Sequence, residues 1–187
     1  MAAFRLRARV YLENDLGAFL KDEESGIDID AFDEYSTHIG LFVNDELVGV
    51  MRLVHYDNVV SGKKVHDLAL NETCEAALPM LLFSPYHSEL NQLAQQKSTA
   101  GAEVVEASRF AILKQHQGLK AGKTLIQGAM DFLQCSFHRA AVLAIVNRHH
   151  VPVYRRYNLT PLKGLIEYEN DGNSCVTIAG DTSLTKK

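Results

Sequence analysis

With 187 residues, 47% of them hydrophobic and 22% charged, the chain is long enough for one sizeable core and short for two. A formal charge of -4 argues against general electrostatic attraction to nucleic acid or anionic membrane and leaves small-molecule or protein contacts. Cys74, Cys135 and Cys175 are odd in number and lack metal-ligand spacing, which fits a reducing cytoplasm better than a disulfide framework, and no apolar run suits a signal core or a membrane span.

One domain over residues 1–187 is therefore expected. Phe4, Leu6, Ala8 and Val10 alternate with Arg5, Arg7 and Arg9, the period of a half-buried strand. A short helix is expected over residues 11–21, then an acidic loop over 22–32 containing Gly26. His38 to Val43 and Glu46 to His55 are apolar and β-rich, with Asn44-Asp45 as a tight hairpin turn between them. Ala76 to Phe83 and Glu89 to Gln96 read as helices, limited by Pro79 and Pro85.

The pattern then becomes regular: strand 103–113, helix 121–137, strand 140–146 and helix 149–157. Strands over 162–169 and 174–179 close the chain, with Asn170-Asp171-Gly172-Asn173 as the turn between them. Inside the first of these regular strands stand Glu106, Ser108 and Arg109. Burying charge is expensive unless it is paired or used, so this strand marks a site.

Gln115 to Thr124 forms a Gly-containing link between a strand and a helix amino terminus, which can offer backbone N–H groups to a phosphate. It is not a Walker loop, because three residues rather than four separate Gly118 from Gly122. His149-His150 is best read as a solvated or capping pair, since adjacent side chains diverge and no third ligand has suitable local spacing.

Gln115 and Gly118, followed by Asn147, then Tyr154, then Asn158-Leu159 at a helix end, resemble the GNAT acyltransferase superfamily, with Lys120 where Gly or Ala is usual. The strand Glu106-x-Ser108-Arg109-Phe110 resembles acyl-homoserine-lactone synthases and the related long-chain N-acyl amino acid synthases, including those associated with exosortase systems. Upstream, Asp30-x-Phe32-Asp33, His38, Val48-Gly49 and Arg52-Leu53 resemble further blocks of these enzymes in the same order. Ordered agreement of several short motifs is far more specific than any one of them.

The resemblance implies a GNAT-like α/β (α+β) fold, a mixed, mainly antiparallel sheet flanked by helices. Its centre opens as a V where strand 103–113 parts from strand 140–146. It implies N-acyl transfer from an acyl thioester, on acyl carrier protein or CoA, to the amine of an amino-acid-like acceptor, with no metal. On that reading Glu106 is the general base, Tyr154 the acid for the departing thiolate, and Ser108 a hydrogen-bonding partner of substrate or carboxylate. Asp30, Asp33, His38, Arg52, Arg109 and Phe110 shape the acceptor site, and Gln115, Gly118, Lys120 and Asn147 hold the donor.

Lys114, Lys120, Lys123, Arg148, Arg155 and Arg156 flank this site, which would suit an acidic carrier protein. The amino-terminal region departs from the lactone-synthase pattern: the chain has no Trp, and the Arg/Phe pair of those enzymes has no evident counterpart near Phe19 and Phe32. An amino-acid acceptor is therefore the favoured expectation. Lactone synthesis, conventional acetyl transfer and acyl-thioester binding without turnover are the alternatives.

Overall fold

The computed structural model describes residues 1–14, 16–17, 20, 25–61, 64–67, 72–75, 78, 85–162, 168–170 and 173–183. Helix α1 (Ala2–Glu13) replaces the strand expected at the amino terminus. The helix uses the same residues better: Leu6 and Val10 lie one turn apart, as do Arg7 and Tyr11, and all four are buried with Ala8. Ala, Arg, Leu and Glu, all strong helix formers, make up most of the segment. The helix expected over 11–21 is likewise corrected, because α1 stops at Glu13, where the Asn14 side-chain Nδ2 donates to the Val10 carbonyl at 2.6 Å. Residues 15, 18–19 and 21–24 lie outside the described set.

Strands β1 (Ser36–Val43) and β2 (Glu46–His55) form the expected hairpin. Asn44 and Asp45 both have left-handed backbone, with φ of 49° and 63°, as a two-residue turn matched to strand twist requires. Helix α2 (Tyr56–Ser61) follows, then a small antiparallel pair, β3 (Lys64–Asp67) and β4 (Glu72–Glu75). The expected helix over 76–83 falls outside the described residues except for the buried Leu78. Helix α3 (His87–Thr99) contains the segment expected to be helical at 89–96.

The regular part folds as expected into β5 (Glu103–Ile112), α4 (Leu119–Ser136) and β6 (Arg139–Asn147). The helix expected over 149–157 is shorter. A single α-helical turn, α5 (Val151–Tyr154), lies between 3-10 turns Arg148–His150 and Arg155–Tyr157. It stops at Asn158, whose φ of 60° is the left-handed cap its sequence suggests. Residues 163–167 of the strand expected over 162–169 lie outside the described set; β7 (Thr160–Pro161) precedes that stretch and β8 (Tyr168–Asn170) overlaps its end, both paired with β9 (Asn173–Ser183).

The main sheet runs β1-β2-β5-β6-β9-β7, with β8 also on β9. Only β5 and β6 are parallel, and their pairing is brief, from Glu103↔Ala140 to Glu106↔Leu143. Beyond that point β5 continues to Ile112 on β2 alone and β6 continues to Asn147 on β9 alone. The sheet is therefore splayed at its centre, and the facing edges of β5 and β6 carry main-chain groups no longer paired with each other.

Burial assigns the two faces. Met51, Leu53, Val105, Ala107, Val142 and Ala144 pack with α4 residues Leu125, Ala129 and Leu133 on one face. On the other, Val48, Val50 and Ala111 meet Leu6, Val10 and Tyr11 of α1, while Val54, Val104 and Leu143 meet Leu90 and Ala94 of α3. Arg52 lies between these two clusters on that second face, since side chains two apart on a strand share a side. At the far edge, a Cβ on Gly180 would collide with the Asn158 carbonyl oxygen, so only glycine lets the chain after α5 cross β9.

Candidate active site

Between Ser108 and Ala111 the register of β5 against β2 jumps: Arg52↔Ser108 is followed by Val50↔Ala111, leaving Met51 opposite both Arg109 and Phe110. This is a β-bulge, and Arg109 sits in it with a left-handed φ of 51°. A non-glycine residue there carries roughly 1–2 kcal/mol of strain. The bulge reverses which residues face which side: Val105 and Ala107 before it share a core with Ile112 after it. It thereby sends the Arg109 guanidinium to the α1 side and leaves Phe110, 37% exposed, beside Gly122 of α4.

The α1 side holds a network of three arginines and three aspartates. Arg7 grips Asp33 with two parallel hydrogen bonds, Nη1 to Oδ1 at 2.8 Å and Nη2 to Oδ2 at 2.9 Å, and its Nε lies 2.8 Å from Asp28 Oδ2. Arg52 Nη1 donates to Asp30 Oδ1 at 2.6 Å and to Asp33 Oδ1 at 3.3 Å, while its Nε donates to Ser108 Oγ at 3.2 Å. Arg109 Nη2 donates to Asp30 Oδ2 at 3.1 Å, and its Nε is 3.7 Å from Asp28 Oδ2.

The aspartates are fixed by local structure. Asp30 caps the 3-10 turn Ala31–Tyr35 by accepting from the Phe32 amide, and Asp33 reaches back to accept from the Asp30 amide at 2.8 Å. Burial pushes the Asp30 carboxyl up, but Arg52 and Arg109 outweigh it and hold it at about 2. Asp33 is lowered in the same way: burial opposes ionisation, and Arg7 and Arg52 override it. His38 Nε2 lies 3.5 Å from Asp33 Oδ1, yet burial lowers the His38 pKa and favours the neutral ring.

Glu106 is 3% exposed, opposite Val54 of β2 and Leu143 of β6. It shares its strand face with Ser108, which is joined to Arg52. Glu106, Ser108, Arg52, Arg109, Asp30, Asp33 and His38 thus gather on one face at the mouth of the splay.

Gln115, Gly118 and Lys120 lie where β5 passes into α4. Gly118, with φ of 149°, precedes the first helical residue, and a Cβ there would meet nothing within 4 Å. The first amides of α4 have no partner within the helix. Asn147 ends β6 and accepts from the His149 amide at 3.0 Å, capping the turn that leads to Tyr154. Tyr154 belongs to the buried cluster that includes Val146, Val151 and Leu159, and burial pushes its hydroxyl up to about 12. Among the described residues no cluster of three His, Cys, Asp or Glu has metal-binding geometry, and no helix is long and apolar enough to cross a membrane.

Three members of this site escape the sequence reading: Arg7, Tyr11 and Asp28. The Arg109 guanidinium lies over the Tyr11 ring, 5.8 Å from its centroid, and Arg7 and Tyr11 are one helical turn apart. That i, i+4 spacing is the signal a period-two reading conceals.

The sequence matches the family described as N-acyl amino acid synthase FeeM over residues 2–181. A search of curated proteins by sequence finds no significant match. The fold is similar to that of FeeM, an N-acyl amino acid synthase from uncultured soil microbes, with a TM-score of 0.58 at 17% identity over 99% of this chain and 90% of that one. It is also similar to BjaI, a CoA-dependent acyl-homoserine lactone synthase solved with SAM and isopentyl-CoA (TM-score 0.61, 17% identity, 96% of this chain and 74% of that one). An acyl-CoA N-acyltransferase from Pseudomonas aeruginosa shares the fold as well (TM-score 0.55, 15% identity, 95% and 87%). The chain belongs to the FeeM family of N-acyl amino acid synthases and is an acyltransferase that uses an acyl thioester.

Proposed function

We propose that this protein joins an acyl group from a thioester to the α-amine of an amino acid, with the splay between β5 and β6 holding the thioester and the arginine–aspartate face holding the acceptor. The observation that carries the reading is Glu106: a buried carboxylate at the last paired residue of β5, where the splay begins and one step along the same face from Ser108 and Arg52.

Glu106 takes a proton from the acceptor ammonium, and the freed amine attacks the thioester carbonyl. Unpaired main-chain N–H groups along the opened edge of β5 face the carbonyl oxygen as negative charge develops there. The carbon–sulfur bond then breaks as the Tyr154 hydroxyl protonates the leaving thiolate, and the second amine proton, shed as the amide forms, returns through solvent to the Tyr154 oxygen. A phenol held at about 12 is reliably protonated at neutral pH, which this role requires. Arg109 and Arg52, oriented by Asp30 and Asp33, shape the acceptor pocket with His38, whereas Phe110, left on the α4 side by the bulge, lies apart from that face. Gln115, Gly118, Lys120 and Asn147 hold the donor's pantetheine or phosphate groups.

Acyl carrier protein is the favoured donor in this reading, and the cytoplasm the favoured setting. Lys114, Lys120, Arg148, Arg155 and Arg156 are exposed around the splay, on a chain whose formal charge is -4. Turnover with matched acyl-carrier-protein and acyl-CoA donors tests the preference; exclusive use of CoA removes the carrier protein.

Arg7 and Tyr11 favour a second reading. An arginine and an aromatic one turn apart on α1 supply a counterpart to the pair lactone synthases carry, so S-adenosylmethionine belongs among the acceptors tried. Mass spectrometry separates the products: an N-acyl amino acid supports the first reading, and an acyl-homoserine lactone supports the second.

A further inference from the structure

Asp28 is the member of the network that its neighbours leave incomplete. It is 1% exposed, and among the described residues its Oδ1 accepts no hydrogen bond. Its Oδ2 has only ion-pair contacts, 2.8 Å from Arg7 Nε and 3.7 Å from Arg109 Nε. The other two aspartates are well supplied. Asp30 accepts from Arg52, Arg109 and the Phe32 amide, and Asp33 accepts twice from Arg7, again from Arg52, and from the Asp30 amide. An ionised carboxylate has about four acceptor positions, and a buried one left short of donors is unfavourable.

The arginines differ in a matching way. All three arginines are spread between aspartates, but the side chains of Arg7 and Arg52 are 0% and 2% exposed, whereas that of Arg109, carried on the bulge beside Asp28, is 17% exposed. Arg109 is therefore the guanidinium best able to meet an incoming carboxylate, and Asp28 is the adjacent carboxylate best able to meet an incoming donor.

We propose that Asp28 selects the acceptor: an α-amino acid whose side chain carries a hydrogen-bond donor, its carboxylate on Arg109, its amine toward Glu106 and its side-chain donor on Asp28 Oδ1. This inference rests on the acyl-transfer reading and names its acceptor class. An alkyl side chain leaves Asp28 unsatisfied, and an acidic one sets a like charge beside it. A site built to hydrogen-bond its substrate rejects an analogue lacking the donor far more strongly than an apolar pocket rejects a missing methylene.

The test is kcat/KM for matched acceptors with one acyl donor: Ser against Ala, Asn against Leu, Lys against Met, Tyr against Phe, and Glu as the acidic control. The expected result is at least tenfold preference for the donor-bearing member of one or more pairs, with Glu the poorest acceptor. In Asp28→Asn, which keeps an oxygen for Arg7, that preference should fall to less than a third of its original size. If this variant does not fold, Asp28→Glu replaces it, since moving the carboxylate by one methylene should also change the preferred acceptor. Acylation of all pairs at similar rates, or a preference unchanged in the folded variant, overturns the role of Asp28 and leaves acyl transfer intact. No N-acyl product from any acceptor overturns both.

Discussion

Glu106 and Leu143 are the last residues through which β5 and β6 are paired. One step further the sheet opens, so the carboxylate stands where buried strand gives way to a slot lined with main-chain groups. Parallel pairing that stops after four residues needs other support, and β2 and β9 provide it by pairing with the diverging strands along their length.

The arginine–aspartate network stabilises the acceptor face only as a whole. Asp30→Asn removes the charge that both Arg52 and Arg109 face, and breaking a buried pair in this way costs roughly 3–5 kcal/mol. The expected outcome is a large fall in melting temperature, measured by circular dichroism. A melting temperature within a degree or two of wild type would show that the network contributes little to folding.

Acid should weaken the fold through the same carboxylates. Asp30 is held at about 2 in the folded state, below its ordinary value of 3.8, so its contribution is present above the ordinary value and is lost as pH falls toward 2. It amounts to about 2 kcal/mol for Asp30, and Asp33 acts in the same direction. His38 adds a milder effect of consistent sign. Its lowered pKa means that the unfolded chain binds the proton first, so stability declines as pH drops below the ordinary histidine value. Urea denaturation at pH 7, 5 and 3 measures the trend, and Asp30→Asn should flatten its acidic end.

Tyr154→Phe deletes one hydroxyl and keeps the ring that packs with Val151 and Leu159. Its fold should persist while kcat drops by about 10²-fold, the scale of a lost general acid. A donor with a more acidic thiol needs less protonation on departure, so it should recover part of the loss. Equal loss with every thiol would point instead to a packing role.

Gly180→Ala tests the crossing of β9. The added methyl would collide with the Asn158 carbonyl oxygen, a backbone contact that cannot relax by rotating a side chain. Destabilisation of at least about 3 kcal/mol is expected, at or above the upper end of ordinary overpacking, and equilibrium unfolding measures it.

Local patterns make much of the fold legible in the sequence. The Asn44-Asp45 hairpin, the unit β5-α4-β6 and the left-handed Asn158 cap all follow from periods and turn chemistry within a few residues. The amino terminus misled because a seven-residue alternation of Arg with apolar residues suits a strand, and only tertiary pairing shows that Arg7 is buried. Asp28 lay in an acidic run that resembles solvated loop, and the bulge at Arg109 is carried by a residue that rarely adopts positive φ. The aspartates, Arg52 and the Glu106 strand were legible because their motifs are short and ordered; their mutual distances depend on packing between α1 and β5.

The central claim is that Glu106 activates an acceptor amine at the mouth of the splay. The most direct measurement compares wild type with Glu106→Gln, following free thiol and N-acyl product together with an amino-acid mixture and an acyl thioester. Wild type should give equimolar thiol and N-acyl amino acid, and the folded variant should be slowed about 10²- to 10⁴-fold, with activity recovering partly at high pH, where free amine is more abundant. A folded Glu106→Gln protein that forms the product at the wild-type rate would contradict this claim.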